Sequence, residues 1–246
     1  RVDSFLRVVL SVHTGLNSLT LLQWGSEHVD GLQSADYQLS CATSRLPVYT
    51  FCMCPGGRIV PSSAAQTRST VNGASEYSRS GVYANAAIVA ALNLSERMGI
   101  TDPLRALSFV EELEQKACRR GLFTAPACSI ESFINNGAAE VLHSTYPFEL
   151  ATDDYSTIYP SEIVESIREG LLVFCKKMKG FENGSLVGVE TTTSPPVQLD
   201  REKGALAKGF HSVYMCGEGS GFAGGIISSG ADGIRCAQGL IERFST

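Results

Sequence analysis

Apolar and polar positions change period several times along this chain, and each change marks an element. Residues 1–30 carry brief apolar runs interrupted by Ser and His, a pattern that fits a short strand or a helix equally. The segment "DYQLSCATSRLPVYTFCMCPGGRIVPSS" then alternates, with β-branched and aromatic residues on either side of Pro55-Gly56-Gly57. It predicts a strand, a tight turn and a second strand through Arg58-Ile59-Val60. "AAQTRSTVNGASEYSRSGVYA" is small and polar and reads as loop, and "NAAIVAALN" follows as a short buried strand.

The period then shifts to that of a helix. Asp102 can accept from the first free amides, Pro103 sits where a missing N–H does no harm, and "LRALSFVEELEQKACRRG" runs to a stop at Gly121. "SIESFINNG" predicts a shorter helix ending at Asn135-Asn136-Gly137. "YPSEIVESIREGLLVFCKKMKG" predicts a long one, with acids early, lysines late and Gly180 as its stop. "SLVGVETTT" alternates as a strand, "SPPVQLDREKGALAKG" is connecting loop, and "HSVYMC" reads as a strand. From there "GEGSGFAGGIISSGADG" leads into a last helix, about Gly225 to Phe244. The order predicts a mixed α and β fold whose final unit is a strand, a glycine-rich turn and a helix.

Composition narrows the class. The chain has 246 residues, 43% hydrophobic and 18% charged, enough for a real core. The net charge of -5 and the absence of a basic run argue against a nucleic-acid surface. The most apolar stretches, "AAIVAAL" and "EGLLVFC", are core-sized, so a soluble, intracellular protein without a membrane segment is expected. The N-terminus lacks an initiator Met and makes a poor signal peptide, so the chain is read as starting partway through a longer protein.

Eight scattered cysteines in a chain this long suit reduced thiols better than a disulfide scaffold. Cys52 and Cys54 form a C-x-C with no second pair, and His13, His28, His143 and His211 have no ligand spacing. No metal site is expected. Cys118, Cys128, Cys175 and Cys236 lie on helical patterns or their flanks and read as inert.

The glycine-rich stretch from Tyr214 to Gly233 carries the strongest chemical signal. A turn through glycines into a helix presents free N–H groups and a partial positive charge, a receptor for phosphate or another electron-rich group. Glycine allows positive φ and close approach of a ligand to the backbone. Glu218, among the glycines, can hold ribose or ribityl hydroxyls. The other reading is that such turns exist only so that helix and sheet can pack closely, and spacing does not decide between them. No βαβ unit can be completed after it, so it is not a self-sufficient dinucleotide site.

Here the motifs resemble a known family. "GEGSGFAGGIISSGADG" is similar to the C-terminal flavin-contacting signature of two-domain FAD-dependent oxidoreductases. "VYTFCMCPGGRIV", "VNGASEYSR", "GVYANAAIV" and "GVETTTSPPVQLDR" resemble blocks of the predicted FAD-utilizing dehydrogenases, over about residues 34 to 245 in order. The chain looks like that family's C-terminal half, without its N-terminal G-x-G-x-x-G unit. Thr192 stands where the family usually has Arg, and Ser80 where it has Asp.

The resemblance implies a Rossmann-like FAD-binding domain, of which this chain is the C-terminal portion. Residues 1–70 would be a β-rich excursion, 71–185 an inserted α/β substrate-side domain, and 186–246 the return to the FAD domain. Its cofactor would be FAD, contacted by Gly217, Glu218, Gly219, Gly221, Gly224, Gly225 and Ile226. Glu218 would take the ribityl or ribose hydroxyls, while Gly224, Gly225 and Ile226 would turn the helix start towards the flavin pyrimidine or the pyrophosphate. Catalysis would be hydride transfer with a small-molecule substrate, and NAD(P)H or another electron partner. Cys52 and Cys54 are candidate redox or acid/base groups, with flavin-side packing and plain core as alternatives. Asn72, Gly73 and Asn85 either face substrate or flavin or only make turns. The competing function is a non-catalytic binding module of flavoprotein ancestry that has lost its cofactor.

Overall fold

Alternating and continuous apolar runs of this chain become strands wherever a partner edge is within reach. The computed structural model describes residues 6–15, 23, 31, 34–63, 65–136, 144–152, 154–191 and 193–245. His28, Gly137, His143 and Thr192, discussed above, lie outside them. The described part divides into two units, one of residues 8–91 and 111–191, the other of 92–110 and 192–246 with the first seven residues.

The first unit is built on a sheet. Its strands are β1 (Leu6–Gly15), β2 (Ser40–Ala42), β3 (Pro47–Cys54), β4 (Gly57–Pro61), β5 (Val71–Ser75), β6 (Tyr83–Leu92), β7 (Ala125–Ser129), β8 (Leu150–Thr152) and β9 (Ser185–Glu190). Seven of them form one sheet in the order β2-β3-β6-β1-β9-β7-β8, and β4 and β5 form a separate two-stranded sheet. The pairs β2–β3, β3–β6, β1–β9 and β7–β9 are antiparallel, while β7–β8 is parallel. The central strands are buried along their length, β9 at every residue and β6 at eight of ten, which is why their apolar runs are nearly continuous.

The predicted strands on either side of the Pro55-Gly56 turn are present, as β3 and β4, and β5 is a further strand in a stretch read as loop. The strands flanking Pro55-Gly56 do not pair with each other: β3 joins the large sheet, and β4 pairs with β5, Gly57 opposite Ser75 through Pro61 opposite Val71. The break is local, an irregularity between Phe51 and Cys54 with Cys52 at φ +49. Such a bulge bends a strand and disrupts its ladder locally, and the pairing resumes at Cys54 opposite Asn85. β5 itself arises within the stretch read as loop, because pairing to β4 buries Val71 completely although its neighbours are small and polar.

Helices follow their sequence signals. They are α1 (Leu94–Met98), α2 (Pro103–Ala117), α3 (Ile130–Asn135), α4 (Ser161–Lys177) and α5 (Ile226–Phe244). Asp102 accepts the Leu104 amide at 3.1 Å, and α2 ends through a 3-10 turn at Gly121, φ +129. Ser129 caps α3 by accepting from Ser132 N–H at 3.0 Å, and Asn136 closes it in the left-handed conformation. In α4, Glu162 lies in the first turn and Lys176 and Lys177 in the last, matching the dipole. This helix lies close on β3 because Gly170 has no side chain: a Cβ there would stand 2.7 Å from Val48 Cγ1.

The core of this unit brings Ile59 and Val71 of the small hairpin together with Ala125, Ala127 and Val187 of the large sheet and Tyr146. The hairpin thus stands on the sheet rather than beside it.

The second unit holds α1, the start of α2 and the C-terminal segment. Its expected strand, "HSVYMC", is only an isolated bridge, Tyr214 opposite Leu206, flanked by Ala207 N–H to Val213 O at 2.7 Å and Met215 N–H to Ala205 O at 2.9 Å. β character is realised by a ladder, and a single short neighbour supplies one rung. Helix α5 packs on the 3-10 turn Lys203–Ala205 through a glycine pair: a Cβ on Gly239 would lie 2.4 Å from Gly204 Cα.

Candidate functional site

The glycine-rich turn begins at Gly217 (φ +76), passes through a 3-10 turn Glu218–Ser220 and Gly221 (φ +80), and reaches α5 at Gly225 (φ +128). Its glycines do different things. Gly221 is a packing glycine: a Cβ would meet Val197 O at 2.7 Å and Gln198 Cα at 2.8 Å. The same segment is tied by Leu199 N–H to Ser220 O at 3.1 Å and Gln198 Nε2 to Gly221 O at 2.9 Å. Gly219 faces open space, with nothing within 4 Å of a Cβ, and Gly217 meets only Ser229 Cβ at 3.8 Å. Close packing and an open face therefore coexist in one turn.

At the helix start no side chain caps α5. Gly224 N–H donates to Ser228 Oγ at 3.3 Å, and that hydroxyl donates to Gly225 O at 3.1 Å. Gly224 and Gly225 are half-buried, whereas Ile226 is 87% and Ile227 85% exposed. The first-turn amides have no intrahelical acceptor. Glu218 is half-buried, and its carbonyl takes the Gly221 amide at 2.9 Å. Beside Gly217, the buried Ser229 Oγ has no hydrogen-bond partner among the described residues. An open glycine face, an uncapped helix start and an orphaned hydroxyl fit an electron-rich ligand with hydroxyl groups, as FAD has.

Two residues that sequence reasoning did not single out hold this turn. Arg201 donates to both oxygens of Asp232, at 2.8 Å each, and to Met215 O at 2.9 Å. Asp232 Oδ2 also accepts the Gly217 amide at 2.9 Å. The guanidinium lies 3.5 Å from the centre of the Phe222 ring. The Arg201 hydrogen bonds pull the Asp232 carboxyl down to about 2, and in turn push the Arg201 guanidinium up. Both residues stand in motif blocks quoted above, but no periodicity links positions this far apart.

In the sheet unit, three further blocks converge. Cys54 stands opposite Asn85 in the β3–β6 register. Asn85 is 1% exposed, and its Nδ2 has no hydrogen-bond partner among the described residues. The β4–β5 hairpin fits over it only because of two glycines: a Cβ on Gly73 would lie 2.0 Å from Asn85 Oδ1, and one on Gly57 2.7 Å from Nδ2. Asn72 makes a local bond, accepting the Gly73 amide at 2.7 Å. Cys52 is exposed, and Cys54 Sγ points to Cys52 O at 3.4 Å. The Cys52 side chain and burial push the Cys54 thiol far up, so Cys54 is a protonated thiol at neutral pH.

On α2, beside the end of β9, lies a buried acid. Glu114 is held by Thr191 Oγ1, which donates to Oε1 at 2.5 Å, with Arg68 Nη1 3.8 Å from Oε2. Burial raises Glu114 above the ordinary carboxylate range, and Tyr159, fully buried near Glu190 and Glu114, is raised as well. Cys128, read on a helical flank, lies at the end of β7 just before α3, where burial pushes it up to about 12. Among the described residues no three His, Cys, Asp or Glu side chains gather as a metal site. No described helix is long and apolar enough to cross a membrane.

Residues 14–193 match the family described as FAD-dependent protein, C-terminal domain-like. The chain belongs to that family. The match spans most of the sheet unit and ends before Arg201 and the glycine-rich turn. The chain is also 35% identical over 232 residues to an uncharacterized protein of Clostridium beijerinckii. That alignment takes in 90% of this chain and 43% of the relative, so the chain spans less than half the relative's length.

Proposed function

We propose that the chain is the C-terminal part of an FAD-dependent oxidoreductase, with the glycine-rich turn and the start of α5 as its share of the flavin site. The observation that carries this reading is the open backbone face at Gly217 and Gly219, beside an uncapped helix start and the unpartnered Ser229 hydroxyl. When bound, FAD would supply hydride transfer with a small-molecule substrate. The residues of this chain would bind and orient it: Glu218 by taking ribose or ribityl hydroxyls, Gly224, Gly225 and Ile226 by presenting helix amides to an electron-rich edge. Gly221 serves the turn by packing and Arg201 and Asp232 by holding it.

The exposed stripe Ile227, Ile234 and Ile241 on α5 supports a Rossmann-like setting for this helix, since a helix in a layered domain presents such a face to a neighbouring layer. A dehydrogenase with NAD(P)H or another electron partner, acting inside the cell, is the finer reading. The test is to purify the full-length protein that contains this chain and record its visible spectrum. The expected result is a flavin band near about 450 nm that denaturation releases, with occupancy reduced in Glu218→Ala. A folded full-length protein that takes up no flavin overturns the reading.

A further inference from the structure

Cys216 immediately precedes Gly217, and Cys236 follows Asp232 by one helical turn on α5. The backbone on both sides of Cys216 is docked on that part of the helix. Met215 O accepts from Arg201 Nη1 at 2.9 Å, and Gly217 N–H donates to Asp232 Oδ2 at 2.9 Å. Side chains four apart on a helix lie one above the other, so the contacts that grip residues 215–217 also bring Cys216 to Cys236. Burial and the neighbouring Cys216 side chain raise the Cys236 thiol, while Asp232 and Arg201 face it with opposite charges. Cys216 is exposed and Cys236 half-buried, so an oxidant has access from one side.

We propose that Cys216 and Cys236 form a redox-active dithiol, which a low-molecular-weight disulfide such as oxidised glutathione converts to an intramolecular disulfide. The Cys216 thiolate attacks one sulfur of the oxidant, forming a mixed disulfide and expelling one thiolate. The Cys236 thiolate then attacks Cys216 Sγ, closing the protein disulfide and expelling the second. Two protein thiols lose two protons and two electrons, and the oxidant, which gains them, leaves as two thiols. The product joins the glycine-rich turn covalently to α5, at the junction that Arg201 and Asp232 hold by hydrogen bonds. This step does not depend on the flavin reading. Cys52 and Cys54, by contrast, are separated by only one residue.

The test is to incubate the chain with excess oxidised glutathione under native conditions, alkylate the remaining thiols, digest and map by mass spectrometry. The expected result is the loss of two thiols and a peptide pair joined through Cys216 and Cys236, reversed by dithiothreitol. Closing residues 216–236 should raise Tm by on the order of 5 °C in the wild type, and the rise should be absent in Cys236→Ser. Recovery of Cys216 and Cys236 as alkylated thiols, as separate glutathione adducts, or bridged to other cysteines overturns the proposal. The mapping is made on the wild-type chain, so it stands even if the variant folds poorly.

Discussion

Arg201 and Asp232 form a two-pronged ion pair, 2.8 Å at each oxygen, across 31 residues of chain, and the same carboxylate holds the Gly217 amide. Asp232 is 2% exposed and Arg201 half-buried, so the pair is a largely enclosed clamp between the glycine-rich turn and α5. Removing one partner of such a pair leaves the other charge uncompensated.

Asp232→Asn should therefore cost about 3 kcal/mol near neutral pH, read from urea denaturation. The carboxyl sits at about 2, below its ordinary 3.8. A depressed acid contributes stability that is complete above its unfolded pKa and is lost as pH falls through the folded one. Wild type and variant should differ fully above about pH 4 and converge as pH approaches about 2. A constant difference across that window would contradict the clamp.

The glycines of the turn should separate by mutation. Gly221→Ala places a Cβ against Val197 O in a left-handed backbone and should cost at least about 2 kcal/mol. Gly219→Ala projects into open space and should change stability by no more than about 0.5 kcal/mol. On the flavin reading, Gly219→Ala nonetheless weakens FAD uptake in the full-length protein. Thermal melts paired with flavin titration distinguish the two roles.

Gly73 and Asn85 should be strongly coupled. Gly73→Ala drives a methyl into the Asn85 amide, at a cost of about 2 kcal/mol or more. Asn85→Ala removes both the obstacle and a buried amide nitrogen without a partner among the described residues, so the double variant should recover part of the loss. A double-mutant cycle with zero interaction energy would refute the fit of the hairpin over Asn85.

Glu114 should oppose stability as pH rises. Burial raises its carboxyl in the folded state, so the native chain holds a proton that the unfolded chain has released. Its contribution is unimpaired below the unfolded pKa and declines as pH rises through the folded one. Glu114→Gln, which keeps an acceptor for Thr191, should match wild type near pH 4 and melt higher near pH 7 by differential scanning fluorimetry. A variant that melts lower at neutral pH would show that the Arg68 attraction outweighs burial.

Much of the fold was legible in the sequence because its signals are local. Asp102-Pro103 and Gly121 bracket α2, Asn136 closes α3, and acids early with lysines late mark α4. The runs at 83–92 and 185–190 are buried strands, as their apolar content suggests. β5 escaped notice because its strand character comes from β4 across from it, not from "VNGAS". The "HSVYMC" segment misled in the opposite direction, having β-type residues and only one bridge to pair with.

By itself the sequence determined the mixed α and β class, the helix ends and the glycine-rich turn into α5, since caps, periodicity and glycine freedom act over a few residues. Only the tertiary structure decided which strands pair, that Gly221 packs while Gly219 stays open, and that Arg201, Asp232, Cys216 and Cys236 meet at one junction. Those outcomes depend on contacts between distant segments, whose geometry no local pattern encodes.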